Sequence, residues 1–169
     1  NEDDRYPPLL LMKGTSSIFA KLFQSYVWIR PEGRGTFLES TIIKDFVERS
    51  VADGASNFVI DLEACPGMDS TFMGMLAGLG IGFRKTKRGG ISIVGTTEKT
   101  SSSLKELGLQ YLMTIEPIDG PWIEKMEEIR GALVLLDQKS EVDREDHVLE
   151  CHKDLCIADE SNLNRFKTV

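Results

Sequence analysis

Long apolar runs, clustered positive charge and histidine are all scarce in this sequence. The most apolar stretch runs from Phe72 to Phe83, well short of the roughly 20 residues needed to span a bilayer. No signal peptide or spanning segment is seen, so a cytoplasmic location and no membrane partner are expected. Lys and Arg total 20 against 27 Asp and Glu, for a net charge of −7. That balance argues against nucleic acid as the main partner, because phosphate binding needs a clustered excess of basic residues. Three cysteines, Cys65, Cys151 and Cys156, form an odd set, which reads as free thiols in a reducing compartment. Ser70 has no G-x-S-x-G context, and no G-x-x-x-x-G-K-[ST] loop occurs; Gly78, Gly80 and Gly82 fall inside an apolar helix pattern, not after a strand. With no acid–base or nucleophile pair standing out, the expectation is a protein without catalytic residues or cofactor.

The chain is long enough for one domain of ordinary size with a short appendage, and 41% hydrophobic residues suffice for a core. Its centre is 61–87, DLEACPGMDSTFMGMLAGLGIGFRKTK. The preceding NFVIDL, 57–62, is rich in β-branched and aromatic residues, the pattern of a strand covered on both faces. Pro66 and Gly67 break it, and Ser70 or Thr71 supplies a side-chain oxygen to cap a helix. In that helix Phe72, Met75, Leu76, Leu79 and Phe83 share one face, and Gly74, Gly78 and Gly82 another. Each glycine costs about 1 kcal/mol relative to alanine, so the glycine face is expected to meet another backbone. Arg84 to Arg88 close the helix at its negative end.

Residues 1–16 read as a tail, with a strand or docking segment at 9–12. Residues 17–24 and 25–31 read as two strands about a turn at Gln24-Ser25, followed by a glycine loop holding Arg34. Phe37–Ala52 has the spacing of an amphipathic helix. Further on come a strand at 91–95, a helix at 98–107 capped by Thr96-Thr97, a strand at 111–116, and a helix at 122–138 with Pro121 at its start. Strands alternating with helices predict an α/β fold of four to five strands in a mainly parallel or mixed sheet over 17–139. Residues 140–169 read as a helical extension: Val148, Leu149, His152, Leu155 and Cys156 share one face, which could pack on the domain or form a homodimer with a second copy. His147, Cys151, His152 and Cys156 do not have zinc-finger spacing, and no metal site is expected.

The stretch LEACPGMDSTFMG, after a buried strand and before an apolar helix, resembles the central motif of the STAS domain of bacterial anti-sigma-factor antagonists. The resemblance extends over about 17–138, though only this motif is specific. It implies a STAS-like fold and a phosphoacceptor serine directly after an aspartate; these are Ser70 and Asp69, with Thr71 the lesser candidate. It also implies an anti-sigma factor serine/threonine kinase as partner, a separate phosphatase, and control of sigma-factor-dependent transcription. The family usually reads D-S-S-G-L-G; here Thr71 stands for the second serine and Phe72 for a glycine. Phe72 is expected to contact the partner or to block its usual surface. Arg34, Thr96 and Thr97 are expected at the same surface, although a solvated arginine and ordinary helix caps explain them as well. For Ser70 the plain alternative is the helix cap. Should Ser70 be only that, the chain would be a scaffold or ligand-sensing module.

Overall fold

The computed structural model describes residues 16–136. Among these residues six strands form a single sheet. In chain order they are β1 (Ser17–Leu22), β2 (Val27–Glu32), β3 (Asn57–Asp61), β4 (Gly90–Val94), β5 (Thr114–Ile115) and β6 (Val134–Leu135). Their spatial order is β5-β4-β3-β2-β1-β6. Pairing is parallel from β2 to β5, while β1 is antiparallel to both neighbours. Four α-helices connect them: α1 (Phe37–Ala52), α2 (Ser70–Thr86), α3 (Glu98–Glu106) and α4 (Met126–Ala132). The mixed α/β fold expected from the alternating pattern is therefore present, with a sixth strand added.

Alternation along the strands sorts two cores. Val27, Ile29, Phe58, Ile60, Ile91 and Ile93 point to one face, where Ile43 and Val47 of α1 and Met75, Leu76 and Leu79 of α2 cover them. Tyr26, Trp28, Val59 and Val94 point to the other, beneath Trp122 and Ile129. β3 is covered on both sides, as its continuous apolar run predicted. Helix α1 begins at a capping box: Thr36 caps it, and the Glu39 carboxylate accepts from the Thr36 amide at 2.8 Å.

Two elements differ from the sequence pattern. The strand expected over 111–116 shrinks to Thr114–Ile115, and Leu109–Tyr111 forms a 3-10 turn. Leu112 and Met113 are drawn onto α2 instead: a Cβ built at Gly80 would lie 2.9 Å from the Leu112 Cβ. Gly80, which lies off the predicted glycine face, is thus where another segment comes close, whereas a Cβ at Gly82 would meet nothing within 4 Å. The helix expected over 122–138 is also cut down. Residues 121–125 are turns that bury Trp122, α4 spans Met126–Ala132 alone, and Leu133 turns extended at φ −71, ψ 156. Val134 and Leu135 then pair with Ala20 and Phe19. An apolar, helix-spaced pattern yields here because β1 would otherwise leave a row of backbone groups unpaired at the sheet edge. The metal-spaced residues His147, Cys151, His152 and Cys156, and the extension that carries them, lie outside the described residues.

Candidate functional site

The site forms beyond the carboxyl ends of the parallel strands, where α/β folds gather their loops. Two loops are stitched together there. The Gly33 amide donates to the Ala64 carbonyl, that of Gly35 to Gly67, and that of Asp69 to Gly35, at 2.8–2.9 Å. The loop after β2 thus lies along the loop after β3, with Gly35 bridging Met68.

Asp69, not Ser70 or Thr71, caps α2: its Oδ1 accepts from the Phe72 amide at 2.8 Å. Its Oδ2 accepts from the Phe37 amide at 3.2 Å. One carboxylate therefore serves the first turns of both α1 and α2, a favourable place for negative charge. Ser70 is the first residue of α2 and is exposed.

The next two side chains turn inward. Thr71 is buried, and Phe72 is fully buried, at 0% exposure. Phe72 therefore cannot meet a partner, nor can it block the surface. Its ring fills the space over Gly35: a Cβ there would lie 2.9 Å from two of its carbons. The large residue in place of a glycine is accommodated inside the molecule, because the neighbouring loop carries no side chain at the point of contact.

Arg34 is exposed, and its carbonyl accepts from the Ser16 hydroxyl at 2.9 Å. Its Nη1 lies 2.9 Å from where a Gly67 Cβ would be, and the Lys99 Nζ lies 3.8 Å from the same point. Two cations thus stand over Gly67, three residues before Ser70. Lys99 was not apparent from sequence; it arrives in the first turn of α3, which Thr97 caps. The Thr96 amide and hydroxyl both donate to the Glu116 carboxylate at 2.7 Å. Thr97 bonds Thr100 in a reciprocal cap. Thr96 and Thr97 thus order the third loop of this surface, Thr96 through Glu116 just after β5 and Thr97 through the first turn of α3.

Cys65 is buried beneath the site, and its thiol donates to the Gly67 carbonyl at 3.3 Å. Burial raises its pKa, and backbone hydrogen bonds from Gly35 and Gly67 offset this only in part. It is a structural thiol, not a nucleophile.

An ion cluster not foreseen from sequence anchors the opposite face. Asp61, at the end of β3, is fully buried. It accepts from Arg130 Nε at 2.8 Å, Arg130 Nη2 at 3.1 Å, Arg30 Nη1 at 3.0 Å and the Trp28 indole at 3.2 Å. Burial pushes the Asp61 carboxyl up, but the hydrogen bonds from Arg130, the Glu63 amide and Arg30 outweigh it and hold the pKa below the usual range. Hydrogen bonds to Asp61 and its charge raise the Arg130 pKa despite burial. Glu63 adds a second acceptor for both arginines. The cluster ties α4 to β3 just before the chain enters the Ser70 loop. Its only sequence signal was an aspartate ending an otherwise apolar strand.

No protein-family model matches this sequence, and no curated protein matches it in sequence. Solved structures do match in fold. A Thermotoga maritima protein described as an anti-sigma factor antagonist superposes with a TM-score of 0.54 at 20% identity, over 66% of this chain and 92% of that one. The unphosphorylated anti-sigma factor antagonist SpoIIAA gives 0.52 at 14% identity, over 68% of this chain and 99% of that one. The murine anion transporter Slc26a9, in its inward-facing state, gives 0.52 at 13% identity, over 67% of this chain but 23% of the transporter. The chain has the STAS fold that its central motif implied.

Proposed function

We propose that this STAS-fold chain is an anti-sigma-factor antagonist switched by phosphorylation at Ser70. Unphosphorylated, it binds a serine/threonine kinase-type anti-sigma factor through the loops after β2, β3 and β4 and so frees a sigma factor. The kinase modifies Ser70 and ends the association; a separate phosphatase restores it. The chain is substrate and ligand in this cycle, not catalyst.

The observation that carries this reading is the division of labour between neighbours: Asp69 caps the helix while Ser70 stands exposed at its first position. A phosphate there adds about −1.5 to −2 charge. The positive end of a 17-residue helix accommodates it, and Arg34 and Lys99 stand over the same loop. The domain therefore keeps its fold, while a docked partner must desolvate a dianion next to Asp69 or leave. The similarity to SpoIIAA and to the Thermotoga protein supports the general role. The similarity to part of a transporter keeps a second reading in view, a scaffold or ligand-sensing module without phosphorylation.

The test pairs the full chain, Ser70→Ala and Ser70→Asp with a purified serine-kinase anti-sigma factor from the same cells. Phosphate from ATP should map to Ser70 by mass spectrometry and be absent in Ser70→Ala. Binding should survive Ser70→Ala and be lost in Ser70→Asp, with all three melting alike. Equal binding by all three proteins, or phosphate found elsewhere, refutes the switch and favours the scaffold.

A further inference from the structure

At the amino ends of β3, β4 and β5, away from the Ser70 loops, lies an open cleft of about 490 Å³, within the size range of small-molecule sites. Asn57, Gly90, Ser92 and Thr114 line it from the sheet, and Pro121 and Trp122 line it from the turns before α4. Strand pairing puts the four sheet residues on one face. Asn57 lies beside Gly90, and Ser92 lies between Val59 and Thr114; Val59 belongs to the core beneath Trp122, and Asn57 precedes it by two residues. Three features of the cleft have no use within the described residues. Trp122 is 8% exposed, yet its indole N–H has no acceptor there, although a buried tryptophan donor normally finds one. The hydroxyls of Ser92 and Thr114 belong to paired residues, and neither bonds another described residue. Gly90 does not have positive φ, and a Cβ there would meet nothing within 4 Å. Neither backbone nor packing calls for a glycine at this point, and a glycine in a strand marks a place where a ligand or another backbone comes close.

We propose that this cleft binds a small neutral polyol, of the size of a monosaccharide or an inositol. The lining carries no charged side chain, so an ionic ligand would give up its hydration with no counter-charge in return. The groups on offer are hydroxyls and amides. Ser92 and Thr114 can each donate and accept, as a sugar hydroxyl does. The Asn57 amide nitrogen donates to the Ser25 carbonyl at 3.4 Å, which leaves its oxygen to accept from the ligand. An oxygen of the ligand gives the Trp122 N–H the acceptor it lacks. Trp122 is one aromatic wall and has no second ring facing it: the ring of Phe58, the other aromatic residue of the lining, packs on Phe83 in the opposite core at 5.5 Å. Hydroxyl pairing therefore selects the ligand, and stacking between two rings does not. The cleft and the Ser70 loops lie at opposite ends of the strands, so a bound polyol leaves the partner surface uncovered.

The test records the indole N–H resonances of the isotope-labelled full chain. The chain has two tryptophans. Trp28, bonded to Asp61, is the internal reference, and Trp122→Phe assigns the other signal. Methyl glucoside, methyl galactoside and myo-inositol are each titrated to about 50 mM, the weak end of specific binding, beside glucose 6-phosphate and adenosine. At least one neutral polyol should move the Trp122 signal saturably and leave that of Trp28 in place. Ser92→Val removes a hydroxyl and Gly90→Val fills the empty space; each should weaken binding at least about threefold. A Trp28 signal at its parent position shows that a variant is folded; should Gly90→Val fail, Ser92→Val decides. The proposal is overturned if no neutral polyol moves the Trp122 signal, or if a folded variant weakens binding by less than that factor. It is also overturned if glucose 6-phosphate or adenosine binds more tightly than every neutral polyol.

Discussion

The contact between Phe72 and Gly35 can be isolated by a double-mutant cycle. Phe72 is fully buried in the first turn of α2, so Phe72→Ala should cost about 3–5 kcal/mol from lost burial and the cavity left behind. Gly35 does not have positive φ, so alanine meets no backbone strain there. Its Cβ would instead press on the Phe72 ring at 2.9 Å, and Gly35→Ala should cost about 1–3 kcal/mol through overpacking. In the Phe72→Ala background the ring is gone. The same Gly35→Ala change should then be neutral or stabilising by up to about 1 kcal/mol, because alanine restricts the unfolded chain. The two changes should therefore be non-additive by about 1–4 kcal/mol, overlapping the range of about 0.5–3 kcal/mol for residues in contact. Urea unfolding of the full chain, followed by far-UV circular dichroism at matched m-values, measures this directly. Additivity within about 0.5 kcal/mol would show that the ring does not rest on the Gly35 backbone and that the β2–α1 loop is held only by its hydrogen bonds.

Other outcomes follow from the same contacts. Asp69→Ala should destabilise by about 1–2 kcal/mol through loss of the α2 cap, whereas Ser70→Ala should stay within about 0.5 kcal/mol of the parent; equal costs would return the capping role to Ser70. The pKa of Asp61 is lower in the folded than in the unfolded chain, so the stability it contributes is complete above the unfolded value, about 3.9, and is lost as pH falls through the folded value. Arg130→Met removes the strongest of the hydrogen bonds holding that pKa down. It should move the acid-unfolding midpoint to higher pH and cost about 3–5 kcal/mol at neutrality; an unmoved acid limb would refute the role given to Arg130. Trp122 stacks edge-on with Tyr26 and Trp28 at 5.4 and 6.3 Å, yet its buried indole N–H has no acceptor among the described residues. Trp122→Phe should therefore cost less than about 1 kcal/mol, since an unpaired buried donor goes with the lost area, while Trp122→Ala should cost about 3–5 kcal/mol.

Local pattern was sufficient wherever one element carried its own signals. Phe37–Ala52 appears with the bounds its spacing indicated, and the order of strands and helices from Ser17 to Thr97 follows directly from turn residues and periodicity. The pattern was insufficient from Tyr111 onward. Leu112 and Leu133 to Leu136 have side chains that suit a strand or a helix, and their partners are far away in sequence: Gly80 of α2 for the first, the free edge of β1 for the others. At the site, Asp69 and Ser70 were legible as a pair, but the cap of α2 was expected from Ser70 or Thr71 and is Asp69. Asp69 and Ser70 can both accept from a helix amide, and the choice depends on the Phe37 amide arriving from α1.

By itself the sequence determined the α/β alternation, the buried β3 and the turn that follows it, because periodicity and chain-breaking residues act within a few positions. It also placed a serine directly after an aspartate at a helix start. Only the tertiary structure decided which way the neighbouring side chains face. The direction of Phe72 depends on a glycine 37 residues earlier, and the charge of Asp61 is sustained by an arginine 69 residues later. Lys99 joins Arg34 over Gly67 only because β4 lies beside β3 and carries α3 to the same end of the sheet. Sterics and ion pairing act through space, and no local pattern in the chain records them.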